Sequence, residues 1–267
     1  MRIMHQGFNI IILILSGITL AYIAYPLVTI LMFAESPPML LSSLTRPQAY
    51  NAFILSLISA TISTLFLSLF GIPLAYLLAR YNNFPGKFVL RIIVIIPLVL
   101  PPLASGVLLL GVFGPYSPIV QALPEIEFTQ STLGVIIAQI YVASPFMILA
   151  SQAAFESVDE SYERVARILG KSRIETFFMV SVPLAKTGLI IGIIMSWVRA
   201  IGELGATMMM AYNPHTISIQ IFEDNAIGGI RQAVPGIILV ILLSIIAVIV
   251  FYISTRKKHD ILKLTYR

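Results

Sequence analysis

The residues that could do chemistry are few, and their types and spacing exclude more than they allow. The chain has no Cys and only three His among 267 residues. Thiol catalysis, disulfide scaffolds and Cys-ligated metals are therefore excluded, and an all-protein transition-metal site has little to draw on. The carboxylate pairs Glu125/Glu127 and Glu223/Asp224 have no neighbouring His and no metal-ligand spacing, so they read as solvated loop charge that an external protein could contact. His215, beside Pro214, reads as a solvated loop residue. Gly170–Lys171–Ser172 imitates the end of a phosphate-binding loop, but that motif needs a glycine five residues earlier, where Val165 stands, and a preceding strand. No ATP site is expected. Two features remain. Arg199 and Glu203 lie four residues apart inside an otherwise apolar stretch, and a charge-rich segment spans 156–186.

The elements that must position these residues follow from composition. Hydrophobic residues make up 58% of the chain and charged residues 11%, with net charge +5. A soluble domain carries about 25% charged residues, so a water-facing surface cannot be built from this chain. Mean hydropathy is +0.95, and a polytopic membrane protein is expected. Crossing the hydrocarbon core takes roughly 20 apolar residues per helix. The spacing predicts six such helices in one domain of residues 1–267, at about 8–33, 50–80, 90–113, 130–155, 187–212 and 233–255. The runs lack the alternation of barrel strands. The first run is too long for a cleavable leader, and Tyr22, Tyr25 and Pro26 do not form a small-residue cleavage site, so it reads as a retained span.

Orientation follows from Lys and Arg in the short loops. Fourteen of the 17 basic residues fall on the side shared by both termini, among them Arg2, Arg80, Lys87, Arg91, Arg256, Lys257, Lys258, Lys263 and Arg267. Arg46 and Arg231 fall on the other side with Glu35, Glu125, Glu127, Glu223 and Asp224, and Arg199 is intramembrane. Both termini are expected in the cytoplasm. The basic charge is then topological and needs no nucleic-acid partner.

Residues 156–186 are the one long cytoplasmic connection, and they read as two short helices. Ser157 with Glu160 and Ser172 with Glu175 match capping boxes, and Gly170 between them suits a helix terminator. Tyr162, Val165, Ala166 and Leu169 form one apolar stripe, and Ile174, Phe177 and Phe178 another. Pro183 is expected to break the chain before span five. Such a segment either lies on lipid headgroups or fits a groove on a partner.

In span three, Pro97, Pro101 and Pro102 interrupt the helix and, with Ser105 and Gly106, are expected to line a cavity and could form the wall of a pathway. In span five, Gly202, Gly205 and Ala206 allow close helix approach, and Met208, Met209 and Met210 fill gaps in the core or contact lipid.

Glu163–Arg164–Val165–Ala166–Arg167–Ile168–Leu169–Gly170, followed by Val182–Pro183–Leu184, resembles the EAA loop of ABC importer permeases. Glu163, Ala166, Gly170 and Pro183 match the pattern, while the sequence departs from it at Arg164 and Val165, where the family varies between Ala and other residues. The stretch from Ser196 to Ala206, with Arg199, Gly202, Glu203, Gly205 and Ala206, is similar to a signature of the sulfate/molybdate/tungstate branch. Tyr212–Asn213–Pro214 and the residues up to Glu223 are similar to molybdate and tungstate permeases. The similarity covers about 50–250.

The resemblance implies an all-α membrane protein with six transmembrane helices, the type I ABC importer permease fold, in a prokaryotic plasma membrane. It implies a second copy of the chain, two cytoplasmic ATP-binding subunits that hold ATP-Mg, and an external oxyanion-binding protein. No cofactor would sit in this chain. The ATPase-docking helix would carry Glu163, Arg164, Ala166, Arg167, Gly170, Lys171 and Ser172. Pro101, Ser105, Arg199, Glu203 and Gly205 are candidates for pathway or gate. A sulfate or thiosulfate permease is the alternative within the family. A secondary anion transporter is the alternative outside it, disfavoured because Glu203 is the sole intramembrane acid.

Overall fold

A computed structural model describes residues 2–33, 46–81 and 84–265, with side chains from Ile11 to Ile253 apart from Leu31. Glu35 and Arg267 lie outside the described residues, as do the side chains of Arg2, Arg256, Lys257, Lys258 and Lys263. Among the described residues there is no strand. Six helical stretches are long and apolar enough to cross a membrane.

The helices are α1 (Arg2–Met32), α2 (Pro47–Arg80), α3 (Lys87–Val99), α4 (Pro102–Phe113), α5 (Pro118–Ala122), α6 (Thr132–Glu156), α7 (Glu160–Ile168), α8 (Arg173–Thr176), α9 (Val182–Ile201), α10 (Gly205–Met210) and α11 (Ile217–Thr265). Span three breaks where its prolines predict, and three other boundaries differ from the sequence expectation. Span three is two helices, because Leu100 and Pro101 are extended and Pro102 opens α4. Span five is α9 and α10, broken at 202–204. Pro183 opens α9 instead of breaking the chain, since the missing N–H costs nothing in a first turn, and a π-helical turn (Phe177–Ser181) joins α9 to α8. Helicity before span six begins at Ile217, and the chain kinks at Gly229, whose φ of 68° favours glycine.

Helices α2, α6 and α9 form the centre. Many of their buried positions are small or hydroxylated, among them Ala52, Ser56, Ala60 and Ser63 on α2, Ala143 and Ser151 on α6, and Gly192 and Ser196 on α9, with Leu78, Met147 and Phe155 buried between them. Large residues such as Leu65, Phe66, Leu69 and Phe70 point outward. Between helices in lipid there is little hydrophobic drive, so close backbone approach and van der Waals contact do the packing. Ile217 N–H donates to Ser56 Oγ at 2.8 Å, which fastens the start of α11 to α2. Helix α1 turns most of its described side chains outward, with Ile30 buried and Ala24 and Thr29 partly so.

Helix α10 packs on α4 through Gly205 and Gly106. A Cβ on Gly205 would lie 2.7 Å from Pro102 Cβ and 3.0 Å from Leu103 N. The obstacle is backbone, which cannot swing aside. Gly205→Ala is therefore expected to cost about 1–3 kcal/mol by overpacking. Gly111→Ala, where a Cβ meets nothing within 4 Å, should not lower the thermal midpoint in detergent. An unchanged midpoint for Gly205→Ala would refute the close crossing.

Candidate functional site

The segment between α6 and α9 is built around one carboxylate. Asp159 caps α7 by accepting from the Ser161 N–H at 2.7 Å. That backbone bond, with the Ser161 hydroxyl second, holds the Asp159 carboxyl below its usual range. The expected capping box at Ser157 does not form. Ser157 ends α6 and donates its hydroxyl to Ala154 O, and the Asp two residues later captures the helix start. The second box does form: Ser172 Oγ accepts from Glu175 N–H at 3.2 Å and Glu175 Oε2 accepts from Ser172 N–H at 2.9 Å. Gly170 terminates α7 at φ 87°, a left-handed position that suits glycine.

Glu163 points into the protein. Arg80 Nε donates to its Oε1 at 2.7 Å, Ser181 Oγ to the same oxygen at 2.9 Å, and Tyr76 Oη to Oε2 at 2.9 Å. The Arg80 and Glu163 side chains are each 7% exposed. Arg80 Nη2 also reaches Val158 O at 3.0 Å. The carboxylate thus joins α7 to α2 and to the π turn before α9. A buried carboxylate requires such partners.

With Glu163 and Ala166 turned inward, the rest of the expected stripe is displaced. Tyr162, Val165 and Leu169 are exposed, and Ile168 and Leu169 are 83% and 77% exposed. The tether sets which face of α7 is buried, and the apolar residues lie around the helix from it. Arg164, Arg167, Gly170, Lys171 and Ser172 are exposed. Arg164 pairs with Glu160 and Lys171 with Glu175 in exposed i,i+4 contacts. Phe177 packs edge-on against Tyr76 at 4.9 Å between ring centres.

The second constellation lies at the break in span five. Arg199 Nη1 meets Glu203 Oε2 at 2.6 Å, with the side chains 26% and 1% exposed. Glu203 Oε1 accepts from Ala206 N–H at 2.8 Å. The carboxylate therefore satisfies both the cation and a free N–H at the start of α10. Arg199 faces a cleft lined by Phe146, Val198, Ser244 and Phe251. Ser105 is buried and Pro101 exposed at the α3–α4 break. Gly205 sits in the α4–α10 contact, and Met210 is fully buried.

At the opposite face, His215 Nδ1 lies 3.3 Å from Glu223 Oε2, and Tyr212 Oη donates to Glu223 Oε1. His215 is thus partnered and half-buried, where the sequence had it solvated. Among the described residues no group of three or more His, Asp or Glu is placed to hold a metal.

Sequence reasoning missed Arg80, Tyr76, Ser181 and Asp159. Asp159 was legible as a capping residue next to Glu160. The other three carry no local signal, since they meet Glu163 only through the fold.

Two predictions follow from these pairs. Glu163→Ala strands a buried guanidinium and should cost about 3–5 kcal/mol, while Arg80→Met with Glu163→Leu should recover most of it. Detergent unfolding of the three proteins checks this, and a loss below about 1 kcal/mol for the single change would mean an exposed pair. Arg199→Gln combined with Glu203→Gln should be milder than either alone. Additive losses would show that the two act separately.

The pattern of the family described as "Binding-protein-dependent transport system inner membrane component" matches residues 71–259. A probable molybdenum ABC transporter permease protein of Haloferax volcanii is 38% identical over 94% of this chain and 92% of its own length. The molybdate/tungstate transport system permease protein WtpB of Thermococcus kodakarensis is 37% identical over 89% and 92%. The molybdenum transport system permease protein ModB of Escherichia coli K12 is 38% identical over 64% and 75%. Among solved structures, a chain of a bacterial alginate ABC transporter, crystallised in complex with alginate pentasaccharide-bound periplasmic protein, shares the fold. It has TM-score 0.76 at 15% identity, over 94% of this chain and 96% of that one. A chain of the inward-facing MetNI methionine ABC transporter does so with TM-score 0.61 at 17% identity, over 83% and 100%. A match over most of the chain, together with the shared helical architecture, shows that this protein belongs to the binding-protein-dependent transport system inner membrane components, the permease subunits of ABC importers.

Proposed function

We propose that this chain is the permease through which molybdate or tungstate enters the cell. The observation that carries the reading is the near full-length similarity to permeases named for molybdenum and for molybdate/tungstate, at 38% and 37% identity. It favours them over the sulfate or thiosulfate alternative. Two copies would form the pathway, an external binding protein would deliver the anion, and two ATPase subunits would hold ATP-Mg. The permease chain itself would hold no cofactor. The basic loops support cytoplasmic termini, and with them a position of α7 and α8 on the ATPase side.

The exposed face of α7 is the docking surface in this reading. Tyr162, Val165, Ile168 and Leu169 are large apolar residues in a water-facing segment, and a contiguous patch of that kind marks an interaction site. Glu163 does not touch the ATPase here. It holds the helix that does, so ATPase closure would move α7, α2 and α9 together. Pro101, Ser105, Arg199, Glu203 and Gly205 stay candidates for the pathway and its gate. Arg199 remains engaged by Glu203, which supports a weak interaction with a passing anion, as conduction needs.

Vesicles holding this chain with its ATPase and binding protein should take up labelled molybdate only with internal ATP. Strong competition by excess sulfate would replace the assignment with a sulfate permease. Ile168→Asp with Leu169→Asp should abolish ATPase co-purification while membrane insertion persists, because exposed positions tolerate charge in the isolated chain. Undiminished assembly would refute the docking face.

A further inference from the structure

Between α7, α8 and the end of α2 lies a cleft of about 130 Å³, room for several water-sized groups. Three guanidinium groups (Arg80, Arg167, Arg173) and two carboxylates (Glu160, Glu163) line it. The charges are unevenly matched. Arg80 is held by Glu163, and Glu160 pairs with Arg164 outside the lining. Among the described residues Arg167 makes only a 3.4 Å bond from Nε to the Glu163 carbonyl, and Arg173 only a 3.4 Å bond from Nη1 to Tyr81 Oη. Neither has a carboxylate partner among the described residues.

We infer that this cleft is a binding site for a tetrahedral dianion, a phosphate or sulfate group, held between Arg167 on α7 and Arg173 beside the Ser172 cap of α8. A guanidinium offers a planar fork of N–H donors that matches two oxygens of such an anion. Two forks on different helices can share its four oxygens and balance its two charges. Tyr81 Oη, already accepting from Arg173, has its proton free to donate. Both arginines are exposed, so the anion arrives without opening the protein. The tight Arg80–Glu163 pair beneath keeps Glu163 from competing for the arginines. A bound anion would add a second link between α7 and α8, beside the covalent turn at Gly170.

The group could come from solution or from a lipid headgroup at the membrane surface. The site does not depend on which substrate the chain transports, so its failure would leave that reading standing. The full chain in phosphatidylcholine nanodiscs, titrated calorimetrically with sulfate and with phosphate at fixed ionic strength, should bind one anion per chain. Chloride should not substitute. Arg167→Gln with Arg173→Gln should weaken binding roughly a hundredfold, about tenfold for each lost charge-assisted contact. Arg167→Lys with Arg173→Lys should retain part of it, and Arg231→Gln, on the opposite face, should not matter. If free anions have no effect but phosphatidylglycerol raises the thermal midpoint, and the Gln pair abolishes that rise, the group is a lipid phosphate in the same site. Absence of both effects would overturn the inference, as would binding that survives in the Gln pair.

Discussion

A carboxylate withdrawn from water must find charged and hydrogen-bonding partners, and Glu163 finds all of its partners on other elements. Arg80 and Tyr76 come from α2, and Ser181 from the π turn that leads into α9. The orientation of the whole segment between spans follows. Burying Glu163 forces Ala166 inward and turns Tyr162, Val165, Ile168 and Leu169 outward. An apolar surface that an independent amphipathic helix would hide is therefore left exposed. The bond that makes the helix rigid on its inner side makes it available on its outer side.

Glu203 applies the same chemistry inside the apolar region. The break at 202–204 frees backbone groups that lipid cannot satisfy. One oxygen of Glu203 takes the Ala206 N–H and the other takes Arg199. A discontinuous helix and an intramembrane cation are both accommodated by one side chain. The short helix after the break then fits against α4 only because residues 106 and 205 are glycines. Charge and small size thus act together where the chain departs from a straight span. Both carboxylates hold helices in place, and in the proposed reading one lies at the ATPase-facing end and the other near the pathway.

Much of this was legible along the chain. Gly170 as a terminator, the Ser172/Glu175 box and the Arg199–Glu203 spacing are all local, involving residues within four positions of one another, and each appears in the fold. The prolines at 101 and 102 marked a real break. The errors were of two kinds. Ser157 and Asp159 competed for one helix start, and local pattern alone favoured the wrong one. Pro183 suggests a break but stands in the first turn of α9, where a proline is harmless. The inward face of α7 was of a different kind, because hydrophobicity pointed one way and an ion pair with a residue 83 positions away pointed the other.

The sequence by itself determined that this is a membrane permease chain of six apolar helices with one long polar connection. Hydrocarbon thickness, backbone satisfaction and loop charge act on short windows, and the motifs at 163–170 and 199–206 are contiguous. The direction in which Glu163, Arg167 and Arg173 point was decided only by the tertiary structure. That direction depends on where the end of α2 lies relative to α7, and no spacing along the chain encodes it.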